Sequence, residues 1–397
     1  MLEIYSLAAV WLMLAIIATI LASKLKISMA LMEIIIGAIA GYVVNYFWGV
    51  NVLKEDHEWI KFVAGAGAII LTFLAGAELD PASLKAKLEE ASIIGFIGFA
   101  TPFIGCGLLA YFILGWNLKA SLLAGIALST TSMAVVYAVM LEYGFNKTEF
   151  GKGILGSCFI NDLGTVIALG LIFAPFNIKT IVFIALSGLT FYFMPRITSY
   201  LTKTFGYKTA AIRTKWILFL LFGLGALAIW AGSEAVLPSY IAGMVLSETI
   251  SKDNFFIRRI RTLTIGFLTP FYFLRAGALV SIPAVISTPL VFIVLFGGKV
   301  LSKIFGLQPA IKHFRKNNKK EIWYYTLLMS TGLTFGTISA LYGLTHNIIT
   351  NEQYSYLVAV VIASAVVPTI IANKLFLPAH LLKEPLAEEE EIPELEK

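Results

Sequence analysis

Apolar residues in this chain run in long, nearly unbroken stretches, and short polar segments separate them. An α-helix needs roughly 20 such residues to cross the hydrocarbon core of a bilayer. The pattern predicts about thirteen spans of that length. They begin at Ile4, Ile27, Ile60, Ala91, Ala120, Phe150, Ile178, Trp216, Val236, Leu263, Ala284, Ile322 and Gln353. The predicted fold class is an all-α membrane protein.

The polar segments test the count independently, because cytoplasmic loops collect lysine and arginine. With the amino terminus outside, the inner segments hold Lys24, Lys26, Lys85, Lys87, Lys147 and Lys152, then Arg196, Lys203, Lys208, Arg213 and Lys215. Lys252 with Arg258, Arg259 and Arg261 follows, and then the group from Lys303 to Lys320. The outer segments keep Lys54, Lys61, Lys119 and Lys179. The expected topology is amino terminus out and carboxyl terminus in.

Composition agrees: 58% of the residues are hydrophobic and 14% are charged, where a soluble domain carries nearer a quarter charged. The net charge of +6 sits in short segments of one side, where it orients the chain and meets anionic lipid, so no nucleic-acid partner is expected. Cys106 and Cys158 both fall inside spans, which disfavours a disulfide framework. The four histidines fall in loops or the tail with no metal-ligand spacing, and no nucleophile elbow is present. An enzyme and a cofactor are therefore not expected.

A weak repeat divides the chain. Gly37-Ala38-Ile39-Ala40-Gly41 in the second span matches Ala242-Gly243 in the ninth, and Ala75-Gly76-Ala77 in the third matches Ala276-Gly277-Ala278 in the tenth. Ser129-Thr130-Thr131-Ser132 interrupts the fifth span, and Ser330 to Thr337 interrupts the twelfth. Seven spans separate the partners, an odd number, so the halves are inverted. Interrupted helices at matching positions point to a transporter's binding site; short Gly/Ala motifs also arise from close packing alone.

Ionisable groups at membrane depth are costly and mark ion or proton paths. Asp162, beside the uncharged Asn161, stands near the middle of the sixth span and is the foremost candidate. A carboxylate holds a proton or a cation but not both, and that competition is the basis of exchange. The alternative is an acid paired with a base for structure. Lys299, in the eleventh span, either snorkels inward or is a buried partner of Asp162 or of the broken-helix carbonyls. Arg275 could sense the pore, pair with Glu234 or snorkel outward. Glu33 and Glu78 are expected at a cytoplasmic funnel or mouth.

These residues resemble the monovalent cation:proton antiporters, in particular the cation:proton antiporter-2 branch with Kef-type and NapA-type members. The segment Glu33 to Gly41 looks like the family's early Gly-Glu helix, with Met32 in place of the usual glycine. Thr72 to Asp80 is close to the branch's third segment, Gly125 to Ser132 matches its unwound helix, and Gly332 to Gly336 resembles the second crossing helix more loosely. The resemblance extends through Pro378 and implies an NhaA-like fold with inverted repeats and two crossing helices. It implies a transmembrane domain over residues 1–383. Within it lie a dimerisation part (mainly 1–80 and 216–280), a core part (mainly 91–174 and 284–378) and a linker helix (178–195). Residues 384–397 are expected to be a disordered acidic cytoplasmic tail.

Carried over by position, Asp162 is the ion-binding aspartate, Lys299 the basic residue of the core, and Asn161, Thr131 and Ser132 neutral oxygen ligands. Electrogenic relatives carry two adjacent aspartates, whereas this chain has Asn161 first, which implies electroneutral exchange of one cation for one proton. Kef-type members often carry a nucleotide-binding regulatory domain after the membrane region; none is read here, and ligand-gated potassium efflux is not expected. The expected function is Na⁺(Li⁺)/H⁺ antiport by an elevator-type homodimer serving pH homeostasis. The alternatives are K⁺/H⁺ antiport, an inverted-repeat organic-anion symporter and a non-transporting sensor.

Overall fold

Backbone groups immersed in hydrocarbon need partners within the chain, and a helix supplies them locally. The computed structural model describes residues 1–25, 27–48, 52–77, 87–145, 148–173, 177–205, 211–233, 235–251, 254–315 and 318–381. Among these the regular structure is helical. The first third of the chain forms α1 (Leu2–Leu25), α2 (Met29–Trp48), α3 (Glu58–Ala77), α4 (Leu88–Leu108), α5 (Leu118–Ser129) and α6 (Met133–Glu142). Then come α7 (Glu149–Phe173), α8 (Ile178–Phe205), α9 (Ile212–Trp230), α10 (Val236–Ser251), α11 (Asn254–Leu263) and α12 (Thr269–Ala278). The last stretch holds α13 (Ile282–Ser287), α14 (Pro289–Phe314), α15 (Lys319–Met329), α16 (Thr334–Thr345) and α17 (Asn351–Leu375). Each predicted span start lies in a helix or two residues before one, and nine helical stretches among the described residues are long and apolar enough to cross a membrane.

Local sequence explains several boundaries. Thr350 and Gln353 form a reciprocal capping box at the start of α17. The Asn117 side chain accepts from Ala120 N at 2.9 Å to start α5. Three elements run further than expected. α8 continues to Phe205 because Met194 and Thr198 keep one buried face against α9, where Trp216 Nε1 donates to Thr198 Oγ1 at 3.0 Å. The basic segment before the tenth span is the helix α11, amphipathic in that Phe256 and Ile260 are buried while Arg258 and Arg259 are exposed. α14 continues past Phe305 to Phe314, which places Lys303 inside a helix rather than in a loop.

The helices pack in two groups. In one, α2 packs on α1 and α12, α3 packs on α10 and α12, and α8 and α9 join through α10. In the other, α4 packs on α5, α7 and α14, while α16 packs on α5 and α17 and α15 on α14 and α17. α10 and α7 are neighbours across the two groups.

The glycine motifs lie where backbones touch. A Cβ on Gly37 of α2 would overlap the Leu274 carbonyl of α12, and one on Gly277 of α12 would overlap the Ile34 carbonyl of α2. The pair α3 and α10 has the same reciprocity, Gly76 against Tyr240 O and Gly243 against Phe73 O. Such close approach adds Cα–H···O contacts of about 0.5–1 kcal/mol each. Under the repeat that matches the second span to the ninth and the third to the tenth, each pair maps onto the other.

Candidate functional site

Two helices break opposite one another in the second group. α5 stops at Ser129, residues 130–132 are extended, and α6 resumes at Met133. α15 stops at Met329, and α16 begins at Thr334. The cause is local, since hydroxyl side chains compete for backbone acceptors. Ser129 Oγ donates to Ile126 O and Thr130 Oγ1 to Ala127 O; in the second break Ser330 Oγ donates to Thr326 O and Thr331 Oγ1 to Leu328 O. The breaks also join each other. Thr131 Oγ1 donates to Met329 O at 2.8 Å, and Ser132 N donates to Thr331 Oγ1 at 3.4 Å.

Half-helices that stop inside the protein leave carbonyls unpaired and a partial negative charge at each carboxyl-terminal end. Two lysines of α14 meet this need. Lys299 Nζ donates to Thr130 O at 3.3 Å, and Lys303 Nζ donates to Thr131 Oγ1 at 3.0 Å. Both lysines are fully buried, so Lys299 does not snorkel; of its two expected partners it takes the broken-helix carbonyl. The sequence reading missed Lys303, although its position one turn after Lys299 was a usable signal.

α7 brings Asn161 and Asp162 to the crossing, at 0% and 2% exposure. Among the described residues, Asn161 Oδ1 and Nδ2 and Asp162 Oδ1 have no hydrogen-bond partner. Lys303 lies within electrostatic reach of Asp162 without forming an ion pair with it among the described residues. Thr165 Oγ1 donates to Asn161 O at 3.1 Å and faces Ser129 Oγ at 3.5 Å. The Thr131 hydroxyl is engaged by Lys303 and Met329, and Ser132 Oγ accepts from Val135 N at 3.3 Å. Buried oxygens left unpartnered cost about 1–3 kcal/mol each, and a bound cation or proton relieves that cost. Carboxylate and amide oxygens suit a hard cation.

An aromatic layer joins α7 to α10 and α16 one turn before the acid. Phe159 stacks on Tyr240 at 5.4 Å between centroids, Tyr240 meets Phe335 edge-on at 5.5 Å, and Tyr240 Oη donates to Phe159 O at 3.2 Å. One helical turn from Tyr240 and Phe335, Val236 and Ile338 line a cavity of about 580 Å³ that also holds Asp56, Lys61 and Arg275. This cavity lies between α3, α10 and α12 of one group and α16 of the other.

The remaining sequence candidates are elsewhere. Arg275 bonds to the segment before α3: Nη2 donates to Asp56 Oδ1 at 3.1 Å and Nε to Glu55 O at 2.8 Å. Glu234, one of the partners considered for it, lies outside the described residues, as do Glu78 and the acidic tail. Glu33 is buried at 3% exposure within α2 instead of lining an open mouth. Both cysteines are free and buried.

The model of the family described as sodium/hydrogen exchanger, transmembrane, matches residues 12–376. The chain is 26% identical over 353 residues to the probable Na⁺/H⁺ antiporter 3 of Methanocaldococcus jannaschii, covering 85% of this chain and 89% of that protein. It is 26% identical over 317 residues to the glutathione-regulated potassium-efflux system protein KefC of Shigella flexneri, covering 74% of this chain and 49% of that protein. Its fold is similar to the solved structure of the sodium proton antiporter MjNhaP1 of Methanocaldococcus jannaschii, with TM-score 0.70, 16% identity, and 95% and 99% of the two chains covered. With a match of that extent over a multi-pass chain with a carboxylate at its crossing, the protein belongs to the sodium/hydrogen exchanger family of monovalent cation:proton antiporters.

Proposed function

We propose that this exchanger carries Na⁺ or Li⁺ against H⁺ with one-to-one, electroneutral stoichiometry, and that Asp162 is the shared seat. The observation that carries this reading is the set of unpartnered buried atoms on Asn161 and Asp162 beside the paired helix breaks. A proton or a partly dehydrated cation neutralises the carboxylate by turns. Asn161 adds a neutral oxygen, and backbone oxygens of residues 130–132 are within the same crossing. Because moving an uncompensated charge through an apolar barrier is costly, the core moves readily only when loaded, and that couples the two fluxes.

In this reading the two groups are a scaffold and a moving core. The reciprocal glycine pairs support an inverted repeat, with the halves of the scaffold sharing one contact geometry. With the amino terminus outside, Asp56 stands in the outer segment before α3, and most other residues lining the 580 Å³ cavity lie in the outer half of their spans, with Ala68 at the middle of α3. This supports an outward-open arrangement closed by Tyr240 and Phe335. A homodimer joined through the scaffold, in a prokaryotic cytoplasmic membrane, completes the proposal.

Proton flux in vesicles, with Na⁺, Li⁺ and K⁺ offered separately, tests it. Na⁺ and Li⁺ should each drive proton movement, and Asp162→Asn should abolish it while the protein stays folded. Retained exchange in that variant would refute the seat. A response to K⁺ alone would favour potassium/proton exchange, the reading that the similarity to KefC suggests.

A further inference from the structure

Away from the crossing, α14 and α15 enclose a cavity of about 690 Å³ near Lys312 and Lys319. We propose that it binds one anionic phospholipid, whose phosphate is held by these two lysines and whose acyl chain lies along α14.

The cations come first. Lys312 and Lys319 are exposed, line the cavity and form no ion pair with a described residue. Glu321, the acid nearest in sequence, is already engaged by His380 Nε2 at 2.8 Å and Asn318 Nδ2 at 2.7 Å. Among the described residues no carboxylate lines the cavity, so an anion entering it meets two positive charges.

A second, independent observation is Gln308. Its side chain lines the same cavity, and its Nε2 is buried with no hydrogen-bond partner among the described residues. A buried N–H left unpaired is costly, and a phosphate or ester oxygen would satisfy it.

The apolar wall then selects the kind of anion. Leu301, Phe305 and Lys312 fall on one face of α14 and are exposed, while Lys299 and Lys303 of the same helix are turned inward and fully buried. From Leu301 to Lys312 the helix rises roughly 16 Å, about the length of a fatty-acyl chain segment. Trp323, stacked on Phe376 at 5.4 Å, closes the other side, at the interfacial depth where tryptophan gathers. A free anion would satisfy the lysines and leave Ile304, Phe305 and Pro309 uncovered. A zwitterionic lipid would cover them and bring its ammonium against the lysines. An anionic phospholipid meets both demands.

The test is lipid binding to the purified full-length protein in detergent, followed by native mass spectrometry. Phosphatidylglycerol should be retained in preference to phosphatidylcholine. Lys312→Gln combined with Lys319→Gln should weaken it about thirtyfold, from the attraction of two surface lysines for anionic lipid. Because both side chains are exposed, that variant should keep its lipid-free melting temperature. Lys320→Gln, an exposed neighbour that does not line the cavity, should leave the preference intact. Equal retention of the two lipids, or an undiminished preference in the double variant, would overturn the assignment. So would displacement by inorganic phosphate as effective as by phosphatidylglycerol. If phosphatidylglycerol is retained only after Glu388, Glu389, Glu390 and Glu391 are replaced by glutamine, the chain's own acidic segment is the occupant, and the lipid site fails.

Discussion

Lys303 Nζ donates to Thr131 Oγ1 at 3.0 Å, and Thr131 Oγ1 donates in turn to the Met329 carbonyl at 2.8 Å. This two-bond chain ties α14 to both helix breaks. It also sets an ammonium within electrostatic reach of Asp162, at the point where two half-helix carboxyl-terminal ends meet. Lys303→Met should therefore lower thermal stability by about 1.5–3 kcal/mol, the range for a hydrogen bond to a charged group. If the lysine also compensates the acid, Lys303→Met with Asp162→Asn should lose less than the sum of the single changes, by about 0.5–3 kcal/mol. Additive losses in a double-mutant melting cycle would show that the lysine serves the helix ends alone.

Asn161 places one titratable carboxyl at the crossing where Asn161→Asp would place two. Exchange by the unaltered protein should ignore an imposed membrane potential. In the Asn161→Asp variant the potential should drive exchange, because each uncompensated charge feels about 2.3 kcal/mol per 100 mV. Dye-reported proton flux in liposomes with a potassium diffusion potential separates the two. A voltage-driven unaltered protein would mean that a lysine of α14 carries a further proton.

Tyr240 stacks its ring on Phe159, one turn before Asp162, and donates to Phe159 O with its hydroxyl. Tyr240→Phe should keep the layer closed and cost about 1 kcal/mol of stability. Tyr240→Ala should cost about 3–5 kcal/mol and open the layer. In a Cys106→Ser background, a small cationic thiol reagent should then reach Cys158, one turn from Asp162, several-fold faster than before. Unchanged labelling would place the closure elsewhere.

Arg275 is buried, whereas its partner Asp56 is 66% exposed on its side chain, so the two ends of this ion pair are unequal. Asp56→Asn leaves the guanidinium its bond to Glu55 O and should cost less than about 1 kcal/mol. Arg275→Gln removes both bonds and should cost about 1.5–3 kcal/mol. Equal losses on thermal melting would mean that the backbone bond contributes nothing.

The acid and the breaks were legible because each violates its surroundings: Asp162 is a charge in an apolar run, and Ser129 to Ser132 are four adjacent hydroxyls in a helix. Lys303 was not legible. It reads as an inner-loop lysine as long as α14 is taken to end near Phe305, and its burial depends on α4 and on the break after α5, which come from far away in sequence. The partner of Arg275 was hidden for a similar reason, since Asp56 lies 219 residues earlier. The glycine motifs were visible, but their pairing was not, because a motif matched to its repeat partner packs against the other member of the set.

That criss-cross pairing carries a mechanical consequence. Where carbonyl oxygens sit against glycine α-carbons in both pairs, the helices meet main chain to main chain at those points, with no side chain between them there to flex. A frame pinned at such points resists bending there, and under the proposed exchange any movement would fall at its seam with neighbours packed through side chains.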